Sequence, residues 1–166
     1  MARKEAPDFK VIKDTREQQG YFFGTYKNCA GMIDQKLDTG DYTIEGLEDK
    51  ICIERKASVE EIAVNLGQKK YAFMEEINRM APYKHKFLIL EFNVEDVLNF
   101  PDGTRIPEAK KKTLKITGNY IMKMLNEFEL YHDIHVLFCG DKHNAFLMVS
   151  AIFIRVNEMY TVGQKK

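Results

Sequence analysis

Asp41, Glu54 and Lys56 have the types and the spacing to hold a hard divalent cation beside a phosphate. Residues 37–44 and 51–55 are short runs of β-branched and aromatic character separated by Gly46-Leu47-Glu48-Asp49, and they read as a β-hairpin. With those four residues as the loop, Ile44 opposes Ile51 and Asp41 opposes Glu54. Directly opposed residues on antiparallel strands share a face with β-carbons about 5 Å apart, so the two carboxylates stand side by side. They repel one another unless a cation or a shared proton intervenes, and oxygen ligands of this kind suit Mg2+ or Mn2+. Lys56 lies two residues beyond Glu54 and therefore on the same face. Its ammonium could orient an attacking water or stabilise charge developing on a phosphate.

The plain alternative is a solvated hairpin whose charges pair with one another. Two features count against it. Glu54 ends the apolar run Ile51-Cys52-Ile53, which has the character of a buried central strand, and Asp14 ends a similar run, residues 9–13. Acids at the carboxyl ends of buried strands are where open α/β sheets place their ligand sites.

These segments carry a resemblance. Val11-Ile12-Lys13-Asp14-Thr15-Arg16-Glu17, then Gly40-Asp41-Tyr42, then Ile53-Glu54-Arg55-Lys56-Ala57-Ser58-Val59-Glu60 resembles the XPF/Mus-type structure-specific nuclease domain. The signature of that domain is D-x-R-E, GD, a variable gap, ERK, and an acid after a short spacer. The likeness continues through Asn65-Leu66-Gly67-Gln68-Lys69-Lys70-Tyr71, residues 87–92 and residues 135–139, and spans roughly 10–156. It implies a restriction-endonuclease-like α/β fold, with a mixed central sheet flanked by helices on both faces. It also implies Mg2+- or Mn2+-dependent hydrolysis of DNA phosphodiesters at flaps, forks or junctions, in repair or recombination.

Carried over residue by residue, the resemblance makes Asp41 and Glu54 metal-binding acids, Asp14 an upstream acid that contributes to metal binding or to site geometry, Lys56 the catalytic lysine and Arg55 a further catalytic position. Arg16, Glu17 and Glu60 become supporting residues, and Lys69, Lys70 and Tyr71 DNA contacts. Glu60 replaces the usual aspartate, and with Ser58 and Glu61 it also makes an ordinary helix start, so both roles stay open for it. Strand alternation turns Arg55 away from Glu54, either behind the sheet or toward Glu17. Many relatives carry a C-terminal tandem helix-hairpin-helix module, whereas this sequence stops about ten residues after the likeness ends. It therefore reads either as a stand-alone nuclease or as a domain of a longer one.

With 166 residues, 45% of them hydrophobic, and no Pro- or Gly-rich linker, the chain suits a single domain over 1–166 with a core at about 10–156 and flexible termini. Cys29, Cys52 and Cys139 have no CxxC spacing and fit reduced thiols in an intracellular protein. No apolar signal core opens the chain, and the longest apolar stretch, 145–154, is too short to span a bilayer, so no membrane partner is expected. The formal net charge is zero, but lysines cluster at Lys69-Lys70, Lys84 and Lys86, Lys110-Lys111-Lys112 with Lys115, and Lys165-Lys166. Such clusters are either solvated faces or phosphate contacts that read DNA shape rather than sequence. His132 and His135 fall at a helix-to-strand junction, a poor setting for a metal pair.

Periodicity and punctuation predict strands at 10–14, 86–92 and 134–139 beside the hairpin, and helices at 59–67 and 71–80. A long helix is expected over 108–131, with Gly118 a potential break, and a final helix that starts at the polar residues 141–144 and continues through the apolar stretch 145–154. Every residue of that last stretch except Ser150 is apolar, so none of its faces suits water. One side can pack on the sheet, and the other calls for a partner, most economically a second copy paired through about 143–157. The leading function is an endonuclease for branched DNA. A catalytically silent DNA-binding scaffold, or another nuclease of the same fold such as a junction resolvase or exonuclease, stays open beside it.

Overall fold

A computed structural model of the chain describes residues 7–162. The Lys165-Lys166 pair and the extreme termini, for which flexibility was expected, lie outside those residues. Among the described residues, six strands form one sheet in the order β2-β1-β3-β4-β5-β6. They are β1 (Phe9–Lys13), β2 (Cys29–Asp34), β3 (Tyr42–Ile44), β4 (Ile51–Lys56), β5 (His85–Leu90) and β6 (His135–Phe138). The pairs β1–β3 and β3–β4 are antiparallel, whereas β1–β2, β4–β5 and β5–β6 are parallel. The mixed α/β sheet expected from the sequence is therefore present. Tyr42 pairs with Ile53, the register expected of the hairpin, and just before β3 the Asp41 amide donates to the Ile53 carbonyl at 2.7 Å, which sets Asp41 beside the end of β4.

Alternation along β4 separates two cores. Cys52 packs with Leu88, Leu90 and the helices α1 (Val59–Leu66), α2 (Lys70–Arg79), α3 (Val94–Leu98) and α5 (Gly118–His132). Ile51 and Ile53 point the other way and pack with Val11, Tyr42, Ile89 and α6 (Lys142–Val162). Glu54 and Lys56 follow Cys52 onto the many-helix side, and Arg55 follows Ile53 onto the α6 side.

Three expectations change. The single helix over 108–131 is two, the short α4 (Glu108–Lys111) and then α5, which begins at Gly118 under a Thr117 cap. Gly118 is where α5 crosses α3: a β-carbon there would lie 2.1 Å from the Val97 carbonyl oxygen. Strand β2 and helix α3 were not anticipated. The β2 sequence CAGMID has a glycine and little apolar alternation, because it is a half-exposed edge strand. The last helix is also longer than the apolar stretch that announced it, at 21 residues, and by length and composition alone it could cross a membrane. Here it seats Ala145, Val149, Phe153 and Val156 on the sheet and leaves Leu147, Met148, Met159 and Val162 exposed.

Candidate active site

The carboxyl ends of β1 and β4 and the amino end of β3 meet at a cleft of about 340 Å3. Each strand delivers one acid: Asp14 after β1, Asp41 just before β3, and Glu54 near the end of β4. Gly40 makes the approach possible. Its φ is +78°, and a β-carbon there would meet the Cys52 sulfur at 2.6 Å and the Ile53 carbonyl oxygen at 2.9 Å. The GD dipeptide thus has a steric origin, since only glycine lets the turn press against β4 and set Asp41 across from Glu54.

Asp41 is oriented by one main-chain bond, the Arg55 amide donating to its Oδ2 at 2.7 Å. Glu54 is 3% exposed; Oε1 accepts from the Lys56 ammonium at 2.7 Å, while Oε2 is buried with no partner among the described residues. An orphaned carboxylate oxygen is costly in a folded protein, and here it belongs to an acid that interacts electrostatically with both Asp41 and Lys56. Burial, with Asp41 beside it, raises the Glu54 pKa well above the ordinary carboxylate value. Burial likewise pushes Asp41 up to about 7, against the pull of the Arg55 amide. Burial works against the Lys56 ammonium, but the Glu54 charge and hydrogen bond outweigh it, so the Lys56 pKa is raised and the side chain stays cationic. The ammonium also lies 4.8 Å from the centre of the Phe73 ring, a cation–π contact from α2.

Asp14, expected as a third metal ligand, has both oxygens engaged. Oδ1 accepts from the Arg16 amide at 2.8 Å and from its Nε at 2.7 Å, and Oδ2 accepts from the Leu37 amide at 2.7 Å and Arg16 NH2 at 3.1 Å. Burial would raise its pKa, but these donors reverse the effect and hold the carboxyl below its usual range. Its own amide bonds the Asp41 carbonyl at 2.8 Å, so Asp14 and Arg16 tie β1 to the turn that carries Asp41. Arg55 follows the alternation argument. Its guanidinium leaves the Glu54 face and bonds Glu17 at 3.2 Å, as one of the two expected arrangements had it.

The ERCC4 domain profile matches residues 13–152, most of the chain. This chain belongs to the ERCC4 domain family. Two solved structures are similar to this ERCC4 domain, XPF from Aeropyrum pernix and the same protein in complex with DNA. Both are 20% identical to it, with TM-scores of 0.60 and 0.61 over 90% and 92% of this chain. The ERCC4 domain covers 70% and 66% of those two chains, about two thirds of their length. At that identity the likeness establishes the shared fold, an α/β domain of the XPF nuclease type. No curated protein matches the sequence.

The structure brings Asp14, Arg16, Glu17, Asp41, Glu54, Arg55 and Lys56 of this ERCC4 domain to one cleft, and leaves Glu60 out of it. Glu60 accepts from the Arg105 amide at 2.9 Å and lines a neighbouring cavity with Asp96 and Asp102. Its neighbour Glu61 faces the site instead, capping the Ala57 amide at 2.7 Å and lying 3.9 Å from the Lys56 ammonium. Ser58-x-x-Glu61 is a capping-box spacing, so the sequence held that signal. Glu76 of α2 also lines the cleft and acts electrostatically on Asp41, Glu54 and Lys56, with nothing local in the sequence to announce it. Lys69, Lys70 and Tyr71 are exposed at the start of the same helix, one to two turns from Glu76. Lys70 bonds the Tyr120 hydroxyl at 2.8 Å. Lys86, grouped by sequence with the surface lysines, is instead buried, its ammonium on the Ala81 carbonyl.

Proposed function

We propose that this ERCC4 domain is a divalent-metal-dependent endonuclease that hydrolyses phosphodiesters in branched DNA. The observation that carries the reading is the orphaned Oε2 of Glu54, buried beside Asp41 and next to a cationic lysine. Among the described residues no three His, Cys, Asp or Glu side chains converge into a ready-made metal cage. Two carboxylates are nonetheless the donor set that Mg2+ ordinarily takes from a protein, with water and substrate phosphate supplying the rest. Asp41 and Glu54 would hold Mg2+ or Mn2+, which when bound acts as a Lewis acid on the phosphoryl oxygen and makes water a stronger acid.

The protein's own side chains do the remainder. Lys56, locked by Glu54 below and Phe73 above, presents a fixed positive charge where charge grows on the phosphate in the transition state. Glu54 chiefly, and then Glu76 and Glu61 in the wall, favour the charged form of that ammonium. The exposed Arg16 guanidinium at the cleft edge, and Lys69, Lys70 and Tyr71 at the start of α2, suit a DNA backbone held by shape. The exposed apolar stripe on α6 favours a two-fold homodimer, which would give one branched substrate two sites. An intracellular setting in repair or recombination accords with this activity.

The test uses labelled flap, fork, four-way junction and plain duplex DNA, each with and without Mg2+. Cleavage should require the metal and favour the branched substrates. Asp41→Asn and Glu54→Gln should each lower it by about 100-fold or more while DNA binding persists. Cutting at near-normal rates by both variants would overturn the assignment, and DNA binding without any cutting by the unaltered chain would favour a scaffold.

A further inference from the structure

Glu91 has no place in the D-x-R-E, GD or ERK segments, yet it is bound to the end of β4 at two points. It follows β5 directly, and its amide donates to the Lys56 carbonyl at 3.0 Å. Its carboxylate takes the Arg55 guanidinium in a bidentate pair, Nε to Oε1 and NH2 to Oε2, the second at 3.0 Å. The side chains of Arg55 and Glu91 are 7% and 6% exposed. The remaining guanidinium nitrogen reaches Glu17, and the Tyr21 ring lies 5.3 Å from the guanidinium carbon. Arg55 thus sits on the opposite face of the sheet from Glu54 and Lys56, and its route to the chemistry is its own amide, which orients Asp41.

We propose that Glu91 is a positioning residue of the active centre: by holding the Arg55 guanidinium and the Lys56 carbonyl together, it fixes the end of β4 so that the Arg55 amide keeps Asp41 aimed at Glu54. The proposal rests on the metal-dependent reading above. A buried ion pair adds little net stability when compared with apolar residues of similar volume. A second set of partners that orients metal-binding groups, by contrast, typically carries 10- to 100-fold in metal affinity or activity. The bidentate geometry matters, because lysine cannot reproduce the planar fork of arginine.

Mn2+ binding to the DNA-free chain, followed by the electron paramagnetic resonance of free Mn2+, reads the effect without cleavage. Glu91→Gln and Arg55→Lys should each weaken Mn2+ binding about tenfold, and the double variant should be no weaker than the worse single one. Because removing one partner of a buried pair can unfold a protein, Arg55→Met combined with Glu91→Met provides the control. It should keep the thermal midpoint and still lose about tenfold in Mn2+ affinity. If the unaltered chain fails to bind Mn2+, the metal-dependent reading falls. If it binds and the folded variants match it within twofold, or if the two single losses add, the role of Glu91 falls and the metal reading stands.

Discussion

At the scale of single residues, the carboxylate pair and its lysine are legible in the amino-acid sequence, because strand alternation and one loop length fix which side chains share a face. The same reasoning, an acid at the end of a buried strand, would have reached Glu91 after Leu88-Ile89-Leu90, and strand alternation turns Arg55 away from Glu54 and toward Glu17, as found. It could not separate an acid with free oxygens from one already saturated. Asp14 and Glu54 look alike in the sequence, but four donor contacts reach Asp14, whereas Glu54 keeps one oxygen without a partner. Lys56 offers a direct test of chemistry against binding. Its ammonium is buried and held in place, so Lys56→Ala should slow single-turnover cleavage about 100-fold while the Kd for DNA moves only a few-fold. Loss of DNA affinity with an unchanged rate at saturating DNA would make the residue a phosphate clamp.

At the scale of elements, the apolar runs and their punctuation were enough for β1, the hairpin, α1, α2, β5 and β6, with ends off by a residue or two except at β3, which starts at Tyr42 rather than at residue 37. What they missed is set by tertiary contact. Edge strand β2 gains its conformation from pairing with β1, and α3 is a five-residue helix held by a capping box at Asn93 and Asp96. Gly118 shows the difference most clearly, for in sequence it looks like a weak spot inside one long helix. In the fold it is the contact point at which α5 begins, pressed against the Val97 carbonyl. Gly118→Ala would improve local helix propensity by roughly 1 kcal/mol and yet force α3 and α5 apart. We expect the clash to win, with a net loss of about 1–3 kcal/mol as for other overpacked positions. A thermal midpoint at or above that of the unaltered chain would show that the crossing yields easily.

At the scale of the whole molecule, the sequence argued that the last helix is apolar on every side and must be covered. Its inner side packs as expected, and Phe146 and Phe153 both turn inward, Phe146 against Tyr21, Phe23 and Tyr26. The outward face carries Leu147, Met148, Ala151, Met159 and Val162, with Arg155 among them in an ion pair with Glu158. A homodimer through this face predicts a light-scattering mass near twice 19.4 kDa at low micromolar concentration. Leu147→Asp with Met148→Asp should halve that mass without unfolding the chain, since neither side chain is in the core. A monomer mass for the unaltered protein would refute the pairing.

The unmet oxygen of Glu54 and its neighbour Asp41 also make folding of the metal-free chain a proton-uptake reaction. Asp41 has a pKa of about 7 in the folded protein against about 3.8 for an ordinary aspartate, and Glu54 is shifted the same way. Between those values the native state binds protons that the unfolded state has released, so unfolding free energy must fall as pH rises through the window. For Asp41 the contribution is complete below about pH 4 and gone above about pH 7, the reverse of the usual carboxylate behaviour in acid. In EDTA the thermal midpoint should therefore decline from pH 5 to pH 8, and Asp41→Asn should flatten the decline. Mg2+ should raise the midpoint most at the alkaline end, where the carboxylates are free to bind it. A midpoint in EDTA that holds level or climbs across that range would mean the two acids carry no such protons. If the slope is as expected, the Asp41–Glu54 pair is a standing instability that the proposed metal would relieve, and metal depletion would act on how long the protein survives as well as on the proposed cleavage.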